Sequence, residues 1–185
     1  NNLYSNHMSV EAFGRIVENM VAAEGFCESL AISGGEPTSH PKFWELIELA
    51  RRPEIGRVVV ITNGLRLGRD RAFAQRIKDN GVYIALQLDG FDDDAHRAIR
   101  GRDLQADKDA ALAMLEELQI LTQLIFVAVR GVNEDQIGRA VDLLFSADHL
   151  LSLNFQPVAY TGLGGGRFAH DPLDRLTIPG VIKRI

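Results

Sequence analysis

The sequence predicts an α/β fold on a parallel sheet, arranged either as a partial (β/α) barrel or as a doubly wound sheet. Two observations carry this. Apolar residues switch repeatedly between a strand-like run and helical spacing, and strand-helix alternation implies parallel pairing through right-handed crossovers. The strands themselves, such as Val58-Val59-Val60-Ile61, are continuous apolar runs without alternation, as expected of strands buried on both faces. Periodicity alone does not choose between barrel and doubly wound sheet, and both bind ligands at the carboxyl ends of their strands.

The elements follow in order. Phe13, Ile16, Val17, Met20 and Val21 recur at helical spacing behind Ser9, which predicts an amphipathic helix over Val10–Glu24 closed by Gly25. The run 29–33 then reads as a buried strand that opens into Gly34-Gly35-Glu36-Pro37. Helices are expected over 41–52, 69–80, 92–99, 106–118 and 134–145, with strands over 57–62, 82–88, 121–129 and 151–158. Beyond Val158 lies a Gly-rich stretch at Gly162, Gly164, Gly165 and Gly166, followed by a helix start at Thr177-Ile178-Pro179. One domain over 1–185 is expected. The first residue is Asn1 and the chain ends at Ile185 inside that new helix, so the sequence is read as a fragment cut at both ends.

Composition narrows the function. The chain has 185 residues, 46% hydrophobic and 24% charged, enough for one sizeable core. A formal charge of -5 and a pI near 5.5 argue against nucleic-acid partners, whose domains cluster Lys and Arg. No apolar run reaches the length of a membrane helix and no signal-peptide pattern opens the chain, so a cytoplasmic setting is expected. The single cysteine, Cys27, reads as a core thiol and cannot alone hold a metal cluster. The five histidines show no metal-ligand pairing, and no metal-binding residue is assigned. Gly162 to Gly166 lacks the Gly-Lys-Ser/Thr of a phosphate loop.

The chemistry is expected where the strands end. Gly34-Gly35-Glu36-Pro37, Thr62-Asn63-Gly64, Gln87 with Asp89-Gly90, Arg130-Gly131, and Asn154 with Gln156-Pro157 all fall at that end. Each alone is a turn. Together they form a constellation, because paired glycines let backbone groups approach a ligand and Glu36 fixes a negative charge beside them.

Ile32-Ser33-Gly34-Gly35-Glu36-Pro37 resembles the GGEP motif of radical S-adenosylmethionine enzymes, and Thr62-Asn63-Gly64 the TNG that ends one of their strands. Leu86 to Phe91, Arg100 to Leu104, Asn154 to Pro157, Tyr160 to Gly162 and Asp174 to Pro179 are similar to the subgroup containing tetraether lipid synthase and the radical hydroxymethylpterin dimethyltransferase. The resemblance implies a partial (β/α) barrel. It also implies a first loop with CxxxCxxC, whose thiolates hold a four-iron, four-sulfur cluster that cleaves S-adenosylmethionine reductively and yields a 5'-deoxyadenosyl radical.

Under that resemblance, Gly34, Gly35 and Glu36 receive the methionine amino group. Asn63, Gln87 and Asp89 face the ribose or methionine part, and the adenine passes Asn154 to Val158, including Gln156 and Val158. Arg100 and Arg102 either meet a carboxylate or phosphate or form a solvated helix end beside Asp92, Asp93 and Asp94. The cluster ligands are expected upstream of Asn1. The implied substrate is a small molecule or lipid, with flavodoxin or ferredoxin as electron donor. The strand 29–33 is expected to expose an edge that is covered by the N-terminal segment or by self-association. The competing expectation is a non-catalytic, doubly wound nucleotide- or flavin-binding domain.

Overall fold

The computed structural model describes residues 7–158 and 175–185. Five strands, β1 (Leu30–Ile32), β2 (Val58–Thr62), β3 (Tyr83–Gln87), β4 (Thr122–Ala128) and β5 (Leu150–Pro157), form one parallel sheet in the order β1-β2-β3-β4-β5. That order decides between the two architectures. A doubly wound sheet reverses its strand order at a switch point, whereas here every strand is laid beside its predecessor in one direction, as in a barrel wall. Right-handed crossovers that all advance the same way place their helices on one face and leave the other face as the barrel interior.

The helices are α1 (Val10–Glu24), α2 (Phe43–Ala50), α3 (Leu65–Arg69), α4 (Arg71–Asp79), α5 (Asp93–Arg100), α6 (Gln105–Glu117), α7 (Ile137–Phe145) and α8 (Ile178–Ile182). Ser9 caps α1 by accepting from the Ala12 amide at 3.1 Å, and Gly25 ends it with a positive φ of 70°. Phe13 and Val17 of α1 join Phe43 and Ile47 of α2, Leu67 of α3, Phe73 and Ile77 of α4, Ala111 and Leu115 of α6, and Ile137 and Ala140 of α7. These pack on Ile32, Val58, Val60, Ile84, Leu86, Leu124 and Phe126, one face of the sheet. Ile16, although in period with Phe13, remains half exposed.

The register aligns the opposite face. Ala85 pairs with Gln123, Gln87 with Ile125, Gln123 with Ser152, Ile125 with Asn154, and Val127 with Gln156. The interior face of β3 to β5 therefore carries Gln87, Gln123, Ser152, Asn154 and Gln156, all of them uncharged hydrogen-bonding side chains. An interior filled only to make a core has no use for such a row.

Two elements differ from the periodicity. A 3-10 turn (Pro37–Ser39) follows the glycine pair, and α3 begins directly after Gly64, because local capping bonds override weak apolar spacing there. Gly64 has φ 82°, and a Cβ on it would lie 2.5 Å from Leu86 Cδ1 and 3.1 Å from Ala111 Cβ. Gly68 on α3 faces the same helix: its Cβ would stand 2.8 Å from the Ala111 amide nitrogen. Glycine is what allows α3 to touch α6. The strand β1 forms one edge of the sheet; the N-terminal residues expected to cover it, 1–6, lie outside the described residues, as do Gly162 to Gly166 and Tyr160 to Gly162. Cys27, half-buried, packs against the core as read from sequence.

Gly64→Ala combines a left-handed backbone with a steric clash, and is expected to cost about 1–3 kcal/mol in urea denaturation. An unchanged midpoint would show that α3 and α6 separate freely.

Candidate functional site

Each strand end leaves backbone donors and acceptors beyond its last ladder bond, and buried ones require partners. At the end of β1 the chain turns at Gly34, whose φ of 146° suits glycine and whose Cβ position is open space. Glu36 follows, half-buried. Its Oε1 accepts from the Thr38 amide (3.1 Å), the Thr38 hydroxyl (2.6 Å) and the Thr62 hydroxyl (2.6 Å), while its Oε2 accepts from the Asn63 amide (2.8 Å). Each carboxylate oxygen carries two lone pairs; Oε1 shares its pair among three donors, whereas Oε2 has a single donor and keeps capacity for one more. Glu36 thus fastens the β1 loop to the end of β2.

Thr62 passes the connection on, its hydroxyl accepting from the Gly64 amide at 3.1 Å, and Asn63 caps α3 through Oδ1 to the Leu65 amide at 3.0 Å. The Asn63 carbonyl accepts from Lys108 Nζ at 2.8 Å, and the same ammonium donates to the Gln87 carbonyl. Lys108 is only 2% exposed. Burial pushes its pKa down to about 8, opposed by the charge of Asp89, helped by that of Arg100, and opposed again by Glu36.

Beyond Gln87 the chain reaches Asp89, fully buried with φ 65°, a left-handed conformation that aspartate tolerates better than most side chains. Its Oδ2 accepts from Arg100 Nε and from a terminal Arg100 nitrogen, each at 2.6 Å, and its Oδ1 accepts from the Val127 amide at 3.3 Å. Asn133 closes the series, donating through Nδ2 to the carbonyls of Asp89 and Val127 at 2.7 Å each and accepting from the Val129 amide. Side chains therefore tie the end of β1 to β2, β2 to β3, and β3 to β4.

The expected residues sort clearly against this geometry. Gly34, Gly35, Glu36, Asn63 and Gln87 stand at adjacent strand ends, and the Gln87 side chain makes no hydrogen bond among the described residues. Asp89 stands there too, fully buried, with its carboxylate accepting from Arg100 and from the Val127 amide. Arg100, exposed at the last position of α5, reaches back to Asp89 as its carboxylate partner. Gln156 is exposed on the inner face of β5, and Val158 is half-buried, its amide on the Ala128 carbonyl at 3.1 Å. Arg102 stays exposed.

Lys108 and Asn133 were not singled out from sequence. For Lys108 a signal existed: Leu104, Lys108, Ala111 and Leu115 are spaced as one buried helical face. His96 was also passed over. It is fully buried, and neither ring nitrogen has a hydrogen-bond partner among the described residues. Burial first, then the nearby Lys108 charge, holds its pKa below the ordinary 6.5, against the pull of Asp89 and Asp93.

A parallel, consecutively ordered sheet with a stitched rim of strand ends and a polar interior face defines a partial-barrel ligand-binding domain. The Radical SAM superfamily model matches residues 1–144, and the chain belongs to that superfamily. Among its relatives, the 7,8-dihydro-6-hydroxymethylpterin dimethyltransferase of Methanocaldococcus jannaschii is 29% identical over 180 residues, which cover 96% of this chain and 35% of that protein. The GTP 3',8-cyclase of Klebsiella pneumoniae subsp. pneumoniae is 30% identical over 164 residues, covering 85% of this chain and 47% of the cyclase. A solved structure described as native anSMEcpe with bound AdoMet and Cp18Cys peptide superposes with a TM-score of 0.63 at 21% identity, over 91% of this chain and 49% of that one. The chain thus spans about a third to a half of the length of these relatives.

Two outcomes test this rim. Glu36→Gln places an amide NH2 against donors, and is expected to cost about 1–3 kcal/mol of stability, with a coupling to Thr62→Val visible in a double-mutant cycle. Additive losses would show that the 2.6 Å contact carries nothing. As to pH, a folded pKa below the unfolded one means that the stability from a neutral His96 is complete above about pH 6.5 and is lost as pH falls below it. His149 is shifted the same way, mainly by burial. The thermal midpoint is therefore expected to drop between pH 7.5 and 5.5, and to drop less in His96→Phe; identical slopes would remove His96 as a source.

Proposed function

We propose that this chain is the S-adenosylmethionine-binding core of a radical enzyme. The observation that supports this reading most directly is the row of strand ends from Gly34 to Gln87, which joins an open glycine turn, a carboxylate with a spare lone pair and a free amide side chain. The two parts of the implied cofactor system fare differently. S-adenosylmethionine fits: the space at Gly34 admits a ligand backbone, and Glu36 Oε2 accepts an ammonium. The cluster does not fit residues of this chain, because among the described residues no group of three or more His, Cys, Asp or Glu is placed to hold a metal, and Cys27 is the single cysteine. Its thiolates belong, in this reading, to a CxxxCxxC segment outside these 185 residues.

In the proposed site, the backbone of Gly34 and Gly35 and the carboxylate of Glu36 orient the methionine amino group. Asn63 and Gln87 flank the ribose or methionine part. Arg100, with Nε and one terminal nitrogen held by Asp89, retains its other terminal nitrogen for the ligand carboxylate. Gln156 and the Val158 segment border the adenine. Reductive cleavage of the bound sulfonium supplies a radical for hydrogen abstraction from a lipid or pterin-type substrate, ending in methyl transfer or carbon-carbon coupling. The similarity to a pterin dimethyltransferase along 96% of the chain supports that substrate class. An electron donor such as flavodoxin or ferredoxin and a cytoplasmic setting complete the proposal; among the described residues no helix is long and apolar enough to cross a membrane.

The test uses the complete natural protein, reconstituted anaerobically. Gly34→Val fills the open space and strains a left-handed backbone on an exposed loop, so it should abolish 5'-deoxyadenosine formation while far-UV circular dichroism and cluster content hold. Undiminished 5'-deoxyadenosine from this variant would withdraw the site.

A further inference from the structure

Lys108 belongs to none of the motifs that mark the family resemblance, and it lies on α6, behind the sheet end. An ammonium this buried is costly unless something specific returns the cost. Lysine side chains ordinarily extend their charge to water, but at 2% exposure this one does not. Instead it spans two neighbouring strand ends, donating to the carbonyl of Asn63 after β2 and to that of Gln87 at the end of β3. Both residues are among those assigned above to flank the ligand. The charges that face it come from every side: Asp89 after β3, Glu36 after β1, Arg100 and His96 on α5, and Asp107 on α6 itself.

We propose that Lys108 is a positioning residue of the S-adenosylmethionine site, its ammonium clamping the carbonyls of Asn63 and Gln87 so that the two side chains flanking the ligand hold a fixed spacing. This rests on the binding site proposed above. The clamp is charge-assisted, and a neutral amine grips carbonyls less strongly. Loss of the proton therefore loosens the ligand's flanks without unfolding the rim. For stability the sign is the opposite: a lysine whose folded pKa lies near 8 penalises the native state below that pH, and the penalty is relieved as pH rises toward the unfolded value of 10.5. Binding that weakens over the same interval in which Lys108 stops destabilising the fold is a signature that a merely structural lysine does not produce.

The experiment measures binding by equilibrium dialysis in the complete, cluster-loaded protein. Two probes are used, S-adenosylmethionine and 5'-methylthioadenosine, which lacks the ligand amine and so reports protein groups alone. Wild-type affinity for 5'-methylthioadenosine is expected to fall between pH 7 and 9.5. Lys108→Met should bind both probes about ten- to a hundredfold more weakly at pH 7, with a flat pH profile, and Lys108→Arg should recover part of the loss. Should Lys108→Met fail to fold, the wild-type pH profile decides alone. A flat wild-type profile, or a Lys108→Met protein that binds as tightly as wild type, overturns the clamp. If wild type binds neither probe at any pH, it is the site that falls rather than the role of Lys108.

Discussion

The rim of the sheet depends on one constraint: backbone groups that outlast their ladder must still be paired. In a complete strand pair the neighbouring chain does this. Where the strands stop, four side chains take over, Glu36, Lys108, Asp89 and Asn133, each reaching across to the next strand end. A partly satisfied polar network is worse than none, so these residues act as a set. Their geometry decides which backbone groups stay available to a ligand and which are consumed by the fold.

The two faces of the sheet follow different rules because of this rim. Behind it, helices press apolar side chains on Val58, Val60, Ile84, Leu86 and Leu124, with Thr62, Thr122 and Lys108 as buried polar members of that layer. In front, the same face carries the polar side chains Gln87, Gln123, Ser152, Asn154 and Gln156 among Ala85, Ile125 and Val127. The network sits where the two environments meet. Asp89 and Lys108 are charged yet enclosed: Asp89 is paired with Arg100, while the Lys108 ammonium is favoured by Asp89 and Glu36 and opposed by Arg100.

Much of this was legible in the sequence, and the parts that were not share a cause. All five strands were located within a residue or two; β2 is marked by the unbroken run Val58 to Ile61, buried on both faces, whereas β4 and β5 alternate between buried and more open positions. Strand order was not legible, because periodicity says nothing of which neighbour a strand selects. The motif residues Gly34 to Glu36 and Asn63 stand at the strand ends, yet their bonding was invisible: Glu36 was read as a fixed negative charge, and what fixes it is four donors from Thr38, Thr62 and Asn63. Asp89 and Arg100 are eleven residues apart and were read separately, when α5 folds one onto the other. Lys108 lies between Asp107 and Asp109, and periodicity alone does not show that a charge at a core-facing position is taken inside.

The contact of α3 with α6 through Gly64 and Gly68 carries a consequence for how such a protein drifts over generations. Side-chain growth at Gly68 runs into the α6 backbone at Ala110 and Ala111, and at Gly64 into the side chains of Leu86 and Ala111. Displacing α6 by even a fraction of a helical rise moves the amine that Lys108 delivers one turn away. The permitted sequence variation at three small, unreactive positions is thereby set by chemistry on the other side of the sheet. Small residues at this seam thus hold α6, and with it the ammonium between the ends of β2 and β3, at its place against the sheet.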